Sequence, residues 1–302
     1  MSQGETWTTR RLLEWTTNFF TEKGADSPRL EAEILLAFAL KTTRVDLYVN
    51  YESVPNDDER ALFRSLVKRR GAGEPVAHLV GKKEFYSLDF ETTRDVLIPR
   101  PETEQLVLEA VEYVKKTDKE ARAAGTFDAD RVWNFCDVGT GSGCVAIALA
   151  KNLRNARLTA FDVSPAALAV ARRNAEKNGV ADRVEFFESD LFSALEPERR
   201  FDVVVSNPPY VSASEYAELE PTVRDYEPKL ALLGGETGVE IVARIVATAP
   251  DYLKNKGKIF VETSPTTVDA AARLFEEDGR WADVAVIPDF AKLNRFVSAT
   301  LK

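Results

Sequence analysis

The chain has 302 residues, 44% of them apolar and 29% charged, with a formal net charge of −9 at pH 7. That length suits about two domains around sizeable cores. One His (His78), two Cys (Cys136 and Cys144) and a single Met exclude a disulfide scaffold and argue against a four-ligand zinc site, and the acidic balance argues against coating nucleic acid by phosphate neutralisation.

Triad chemistry would have to run through His78 alone, so a reaction with neither metal nor catalytic histidine is expected. Residues 1–80 carry 11 Lys/Arg against 12 Asp/Glu, and the remainder 29 against 37, so the acidity sits in the larger part. Met1–Thr17 is polar with early charges and does not read as a signal peptide. No apolar run approaches the roughly 20 residues of a membrane span. Free thiols in an acidic chain fit the cytosol.

In chain order, residues 7–70 read as three amphipathic helices in a small bundle. Leu12, Leu13, Trp15, Phe19 and Phe20 recur at helical spacing. A second helix starts at Ser27-Pro28, with Ser27 as N-cap and Pro28 in the first turn, and carries Leu30, Ile34, Leu35, Phe38 and Leu40. A third spans Asp57–Arg70 and stops at Gly71. Residues 81–100 read as a hairpin linker, with Phe85–Phe90 as one strand and Arg94–Ile98 as its partner. Pro101 opens another helix, whose positive end Glu102 and Glu104 complement; 115–131 reads as a surface loop or an extension of it. From Val132, strands at 132–138, 157–161, 183–187, 201–206, 257–262, 283–287 and 295–301 alternate with helices at 142–153, 164–178, 238–254 and 266–278. Such alternation gives an α/β fold with a mostly parallel sheet, whose ligands bind beyond the C-terminal strand ends.

The first of these strands ends Asp137-Val138-Gly139-Thr140-Gly141-Ser142-Gly143. Glycines let the backbone pass close under a ligand, and the following helix presents free N–H groups. Asp162 ends the next strand, where an acid can accept from both ribose hydroxyls. A nucleoside cofactor is expected. The loop is neither G-x-G-x-x-G, because Cys144 stands where the third glycine would fall, nor a Walker loop. Asp137 would repel a pyrophosphate but suits a cation. S-Adenosyl-L-methionine carries an ammonium and a sulfonium and no phosphate, and D-x-G-x-G-x-G resembles the binding loop of class I methyltransferases. In that pattern Asp190 faces the adenine amino group and Leu191 packs on the ring; the structural alternative is an acidic N-cap with a core leucine.

The fourth strand ends in Asn207-Pro208-Pro209-Tyr210. The prolines remove two donors and hold nearby carbonyls in fixed geometry. The Asn207 side chain adds an amide oxygen acceptor, and Tyr210 offers a flat face. Two acceptors and a stacking ring suit a planar NH₂ group. Direct methyl transfer by alignment and desolvation needs no histidine base. The structural alternative is a cis-proline turn. The motif resembles that of amino-methyltransferases acting on adenine N6, cytosine N4 or the glutamine amide.

Gly73-Glu74-Pro75-Val76-Ala77-His78-Leu79, Gly81 with Glu84-Phe85-Tyr86, and Leu97–Glu104 precede this core in order. Together with the two motifs they resemble the peptide chain release factor glutamine N5-methyltransferases (the HemK/PrmC family). Glu227-Pro228, Ala231-Leu232 and Gly234-Gly235 with Gly238 fit the family's loop after the motif. The resemblance implies a class I (Rossmann-like) S-adenosylmethionine-dependent methyltransferase domain over 81–302, and a helical domain over 1–80 that docks the protein substrate. It implies that Asn207, Pro208, Pro209 and Tyr210 receive the glutamine of the Gly-Gly-Gln loop of class 1 release factors. Asp137, Gly139, Thr140, Gly141, Ser142, Gly143, Asp162, Asp190, Leu191 and Asn207 would hold the cofactor. Arg100 reads as an anion contact at the site, or as a partner of Glu102 or Glu104; His78 reads as a packing or hydrogen-bonding residue. A cytoplasmic monomer with no membrane and no direct nucleic-acid partner is expected. A ribosomal-protein glutamine and DNA adenine N6 are the alternative acceptors; the latter needs a basic channel that this chain lacks. Two departures stand out: Glu262-Thr263-Ser264 lacks the family's glycine, and Asn294-Arg295 replaces its acidic-Arg pair. Both are expected at the sheet edge, away from the cofactor loop.

Overall fold

A computed structural model describes residues 6–302. Residues 1–5, part of the expected helical domain and of the stretch read as no signal peptide, lie outside the described residues. The chain divides into two compact units, residues 1–81 with 220–226, and residues 82–219 with 227–302.

The first unit is helical: α1 (Thr9–Glu22), α2 (Pro28–Ala39), α3 (Arg44–Val49), α4 (Asp57–Gly71) and α5 (Val76–Val80). Leu13, Phe20, Leu35, Leu36, Phe63 and Leu66 form its core; the expected stripes hold only in part, because Trp15, Leu30 and Phe38 are exposed while Leu36, outside them, is buried. Two short helices were not expected. Helix α3 rests on a capping box between Thr43 and Asp46, and at six residues it is too short to show a stripe. Ser27 precedes α2 as expected but makes no side-chain cap bond; Pro28 occupies the first turn.

The second unit opens with β1 (Lys82–Phe85) and β2 (Leu88–Glu91), then a 3₁₀ turn (Pro101–Thr103) and α6 (Glu104–Ala123). There follow β3 (Trp133–Val138), α7 (Cys144–Asn152), β4 (Ala156–Asp162), α8 (Pro165–Lys177), β5 (Val184–Glu188), β6 (Phe201–Ser206), β7 (Val211–Ser212) and α9 (Ala213–Glu218). Helix α10 (Pro221–Arg224) belongs to the first unit. The chain finishes with α11 (Lys229–Leu232), β8 (Leu233–Gly235), α12 (Glu240–Thr248), β9 (Leu253–Glu262), α13 (Val268–Asp278), β10 (Trp281–Pro288) and β11 (Asn294–Leu301).

The hairpin differs from expectation. Its turn is Tyr86-Ser87, inside the segment read as one strand, and Phe85 pairs with Leu88. Arg94–Ile98 forms no strand; Val96 packs on Ala167 and Val170 instead. Helix α12 stops at Thr248 rather than 254, because Pro250 cannot continue it.

The seven-stranded sheet has the order β10-β11-β9-β6-β3-β4-β5. Only β11 runs against the others. Alternate residues serve opposite faces. Phe135, Val203, Val205 and Phe260 meet Leu106, Val107 and Ile147 of α6 and α7. Cys136, Val204, Ile259 and Val261 meet Val242, Ile245 and Phe275 of α12 and α13. Chain order reverses between β3 and β6, and the crevice at such a switch point is where α/β sheets bind ligands. Among the described residues, no helix is long and apolar enough to cross a membrane.

Candidate active site

Beyond β3 the chain turns through Gly139–Gly143 into α7. Gly139 and Gly141 hold φ at 72° and 56°, and a Cβ on either would meet nothing within 4 Å. They form a bare backbone cradle facing open space. Gly143 does different work. Its Cβ would lie 3.0 Å from Ile147 Cδ1 and 3.2 Å from Ala171 Cβ, so it permits helix packing. It does not line the cavity described below, contrary to the cofactor contact expected of it.

Two acids brace the cradle. Asp137 Oδ2 accepts from the Thr140 hydroxyl at 2.7 Å and the Ala146 N–H at 3.2 Å. Asp162 accepts from the Gly141 N–H at 2.8 Å and the Ser164 N–H at 2.9 Å. Asn174 Nδ2 donates to the Ser142 carbonyl at 3.0 Å. Burial pushes Asp137 up to about 6 against those hydrogen bonds, with the Asp162 charge adding to the rise. Burial also raises Asp162.

The cradle opens into a cavity of about 370 Å³, within the range of small-ligand sites. Asp137, Gly139, Thr140, Gly141, Ser142, Asp162, Asp190, Leu191, Asn207, Pro208, Pro209 and Arg100 all line it. One wall is thus the glycine loop with its acids, and another is the Asn-Pro-Pro motif. Asp190 is exposed at the rim and pairs with Arg244 at 2.8 Å. The open cradle, an acid closing the adjacent strand and a second, buried acid with no salt-bridge partner among the described residues fit a cationic nucleoside such as S-adenosylmethionine. A cation bound there favours ionised Asp137 and Asp162, so affinity should rise with pH. The cofactor dissociation constant is expected to fall by up to about tenfold per unit as pH climbs toward about 6 and then level off. Calorimetry across that range checks this; a flat profile contradicts it.

The motif is held from several sides. The Ser206 hydroxyl donates to the Val138 carbonyl at 2.7 Å, joining the ends of β6 and β3. Asn207 Nδ2 donates to Thr103 Oγ1 at 3.0 Å, and Oδ1 has no partner among the described residues. The peptide bonds are trans, not the cis turn of the structural alternative. Strand β7 pairs with β8, which brings Gly234 under the motif. A Cβ at Gly234 would lie 2.5 Å from the Pro209 carbonyl and 2.9 Å from Tyr210 Cα. Gly234→Ala must therefore displace the motif backbone, and is expected to lower kcat for methyl transfer by about 10²-fold. Rate assays beside cofactor titrations check it; an unchanged kcat contradicts it.

Tyr210 does not line the cavity. It is half-buried, and burial and the Glu262 charge push its ionisation up, opposed by Arg295 and Arg100. Glu262 corrects an expectation. Strand β9 lies beside β6, inside the sheet, and Glu262 is 1% exposed at its C-terminal end. Arg295 is likewise near Tyr210 and Glu262. Its acidic partner is Asp289, at 3.0 Å, rather than residue 294. Both departures from the family pattern therefore border the motif instead of lying away at an edge.

Arg100 pairs with Glu227 at 2.6 Å, not with Glu102 or Glu104. Glu227 also accepts the Ile98 N–H at 2.9 Å. Arg100 thus braces the cavity rim with its charge already compensated, and the anion contact expected of it is not supported. His78 lies on α5 in the helical unit.

Thr103, Glu227 and Glu262 carry roles that sequence reasoning missed. Glu262 had a signal: a lone acid closing the apolar run Ile259-Phe260-Val261, at the strand end where sites collect. Thr103 had none.

Residues 11–81 match the family described as PrmC N-terminal domain, and residues 115–221 the methyltransferase small domain. The chain is 46% identical over 292 residues to the release factor glutamine methyltransferase of Rhodopirellula baltica, covering 97% of this chain and 96% of that protein. It is 42% identical to the protein of the same name from Geobacter sulfurreducens, covering 98% of each. Among solved structures it resembles a methyltransferase from Pyrococcus furiosus, with TM-score 0.50, 20% identity, and 79% and 97% of the two chains covered. It also resembles the N-terminal domain of human METTL16 in complex with SAH, with TM-score 0.50, 18% identity, and 78% and 83% covered. These structural likenesses show the class I methyltransferase fold.

Proposed function

The chain belongs to the release factor glutamine methyltransferase family, and on that premise we propose that its cavity transfers a methyl group from S-adenosylmethionine to the side-chain amide nitrogen of a release factor glutamine. The acceptor is the glutamine of the Gly-Gly-Gln loop of class 1 release factors. The observation that carries the reading is the Asn207 amide oxygen, without a partner among the described residues, on the wall of the same cavity as the glycine cradle.

When bound, S-adenosylmethionine supplies an electrophilic methyl on a sulfonium. Gly139, Thr140, Gly141 and Ser142 would pass beneath it, Asp162 would accept from its ribose, and Asp137 would offset its positive charge. Asp190 and Leu191 would flank the adenine. Asn207 Oδ1 and the Pro208 carbonyl would accept the two N–H bonds of the glutamine amide, holding its nitrogen in line. Tyr210, which does not line the cavity, would have to turn its ring toward it to pack on the amide plane. The proton lost after transfer passes to solvent from a nitrogen already polarised by these acceptors, which accept its hydrogen bonds without keeping it.

The helical unit is proposed to dock the release factor, in a cytoplasmic reaction. Its groove, with Trp15, Phe19, Arg64 and Lys68 among the lining residues, offers apolar and cationic contacts. A ribosomal-protein glutamine and DNA adenine are not favoured as acceptors. The test incubates the protein and labelled cofactor with a release factor, its Gln→Ala version and DNA. Label on the unaltered release factor alone is expected; label on DNA, or equal label on both release factors, contradicts the proposal.

A further inference from the structure

Large apolar side chains stand exposed at few places in the second unit. Among the described residues they are Val132, Val163, Leu230, Phe290 and Leu293. Val163 and Leu230 line the cavity, and Val132 precedes β3 at the opposite end of the sheet. Phe290 and Leu293, at 67% and 50% exposure, sit on the loop that joins β10 to β11. Strand β10 runs parallel to β9, so this loop stands at the end of the sheet where ligands bind. One exposed apolar residue is ordinary; two on a short loop beside a site mark a contact surface.

The loop is built rather than slack. Asp289 is 4% exposed. Its Oδ1 accepts the Leu293 N–H at 2.9 Å, and its Oδ2 pairs with Arg295 at 3.0 Å. The Asp289 N–H donates to the Leu293 carbonyl at 2.8 Å, and the Lys292 N–H to the Asp289 carbonyl at 2.9 Å. Lys292 is held at φ 67°, a conformation that a residue with a side chain keeps when its surroundings impose it. At the base, the Arg295 carbonyl accepts from the Thr263 N–H at 2.8 Å and the Thr263 hydroxyl at 3.0 Å, which ties the loop to the residue after β9. A buried acid thus fixes a loop whose two largest apolar side chains face water.

The register gives its distance from the motif. Ser206 lies opposite Val261, Val261 opposite Val297, and Val297 opposite Val286. Neighbouring strands are about 4.8 Å apart, so the end of β10 stands about 14 Å across the sheet from the end of β6, where Asn207 opens the motif. An extended chain covers about 3.3 Å per residue, so a segment leaving the motif across β9 and β11 reaches the loop after about four to five residues.

We propose that this loop is a second contact for the acceptor protein: Phe290 and Leu293 take an apolar side chain that lies about four to five residues from the glutamine in the acceptor chain. The inference rests on the reading that the glutamine enters at Asn207–Tyr210, and it adds a specificity contact outside the cavity. The contact holds the flanking chain and touches no reacting atom, so it acts on acceptor binding and leaves the transfer step alone.

The test measures methyl transfer to a release factor by the wild type, the double variant Phe290→Ala/Leu293→Ala, and Asn207→Ala. The double variant is expected to raise KM for the release factor about tenfold or more, with kcat within about twofold and cofactor affinity unchanged. A release factor whose apolar residues about four to five positions from the glutamine are replaced by serine should show the same rise with the wild type and no further rise with the double variant. A wild-type KM in the double variant, a fall in kcat alone, or fully additive effects of the two changes overturns the inference. So does a wild-type dimer, seen by sedimentation, that the double variant loses with KM unaltered, since the patch would then pair two copies. Inactivity of Asn207→Ala beside a wild-type KM in the double variant would overturn this contact alone; full activity of Asn207→Ala would overturn the reading beneath it.

Discussion

Asn207→Ala is expected to lower kcat for methyl transfer by about 10²- to 10³-fold, the cost of losing alignment at a reacting atom. Cofactor affinity should stay within about twofold, because the cradle is braced by Asp137, Asp162 and Asn174 rather than by the motif. The substitution removes the amide whose nitrogen is held by Thr103 and whose oxygen faces no partner among the described residues. The Pro208 carbonyl alone cannot hold both N–H bonds of a planar amide. Single-turnover rates at saturating cofactor, beside calorimetry, separate the two quantities. A variant that binds cofactor and still turns over at the wild-type rate contradicts the role.

Asp162→Ala is expected to act on the other substrate. Its carboxylate accepts the Gly141 and Ser164 N–H groups, so removal loosens the cradle as well as the ribose contact. Hydrogen bonds to charged groups are worth about 1.5–3 kcal/mol each, and about 1.4 kcal/mol is tenfold in affinity. Loss of the cradle bond and one ribose bond corresponds to an affinity about 10²- to 10⁴-fold weaker. The stabilisation that bound cofactor gives against thermal unfolding should then largely disappear at concentrations that saturate the wild type. A full cofactor-induced shift in Asp162→Ala contradicts this.

Much of the catalytic unit was legible because its elements advertise themselves. The strands β3, β4, β5 and β6 are short apolar runs closed by acids, glycines or prolines, and each observed boundary lies within one residue of the reading. The glycine loop and the motif stand at strand ends, where topology puts ligands. What escaped depended on tertiary partners. The hairpin turn holds Tyr86 and Ser87 at φ 52° and 59°, a conformation that sequence normally announces with Asn-Gly. Here Glu104 accepts the Tyr86 N–H at 2.8 Å from 18 residues away. Arg100 found Glu227 at a separation of 127 residues, beyond any local spacing rule. Glu262 was visible as an acid on an apolar strand, but its neighbourhood with Tyr210 follows from the strand order β9-β6, which alternation alone does not reveal.

A release factor incubated with the protein and S-adenosylmethionine should be digested and its Gly-Gly-Gln peptide fragmented in a mass spectrometer. The account predicts one added methyl, located on the side-chain nitrogen of that glutamine and absent when Asn207→Ala replaces the wild-type protein. A methyl on any other residue, or the same glutamine modified equally by Asn207→Ala, would contradict it.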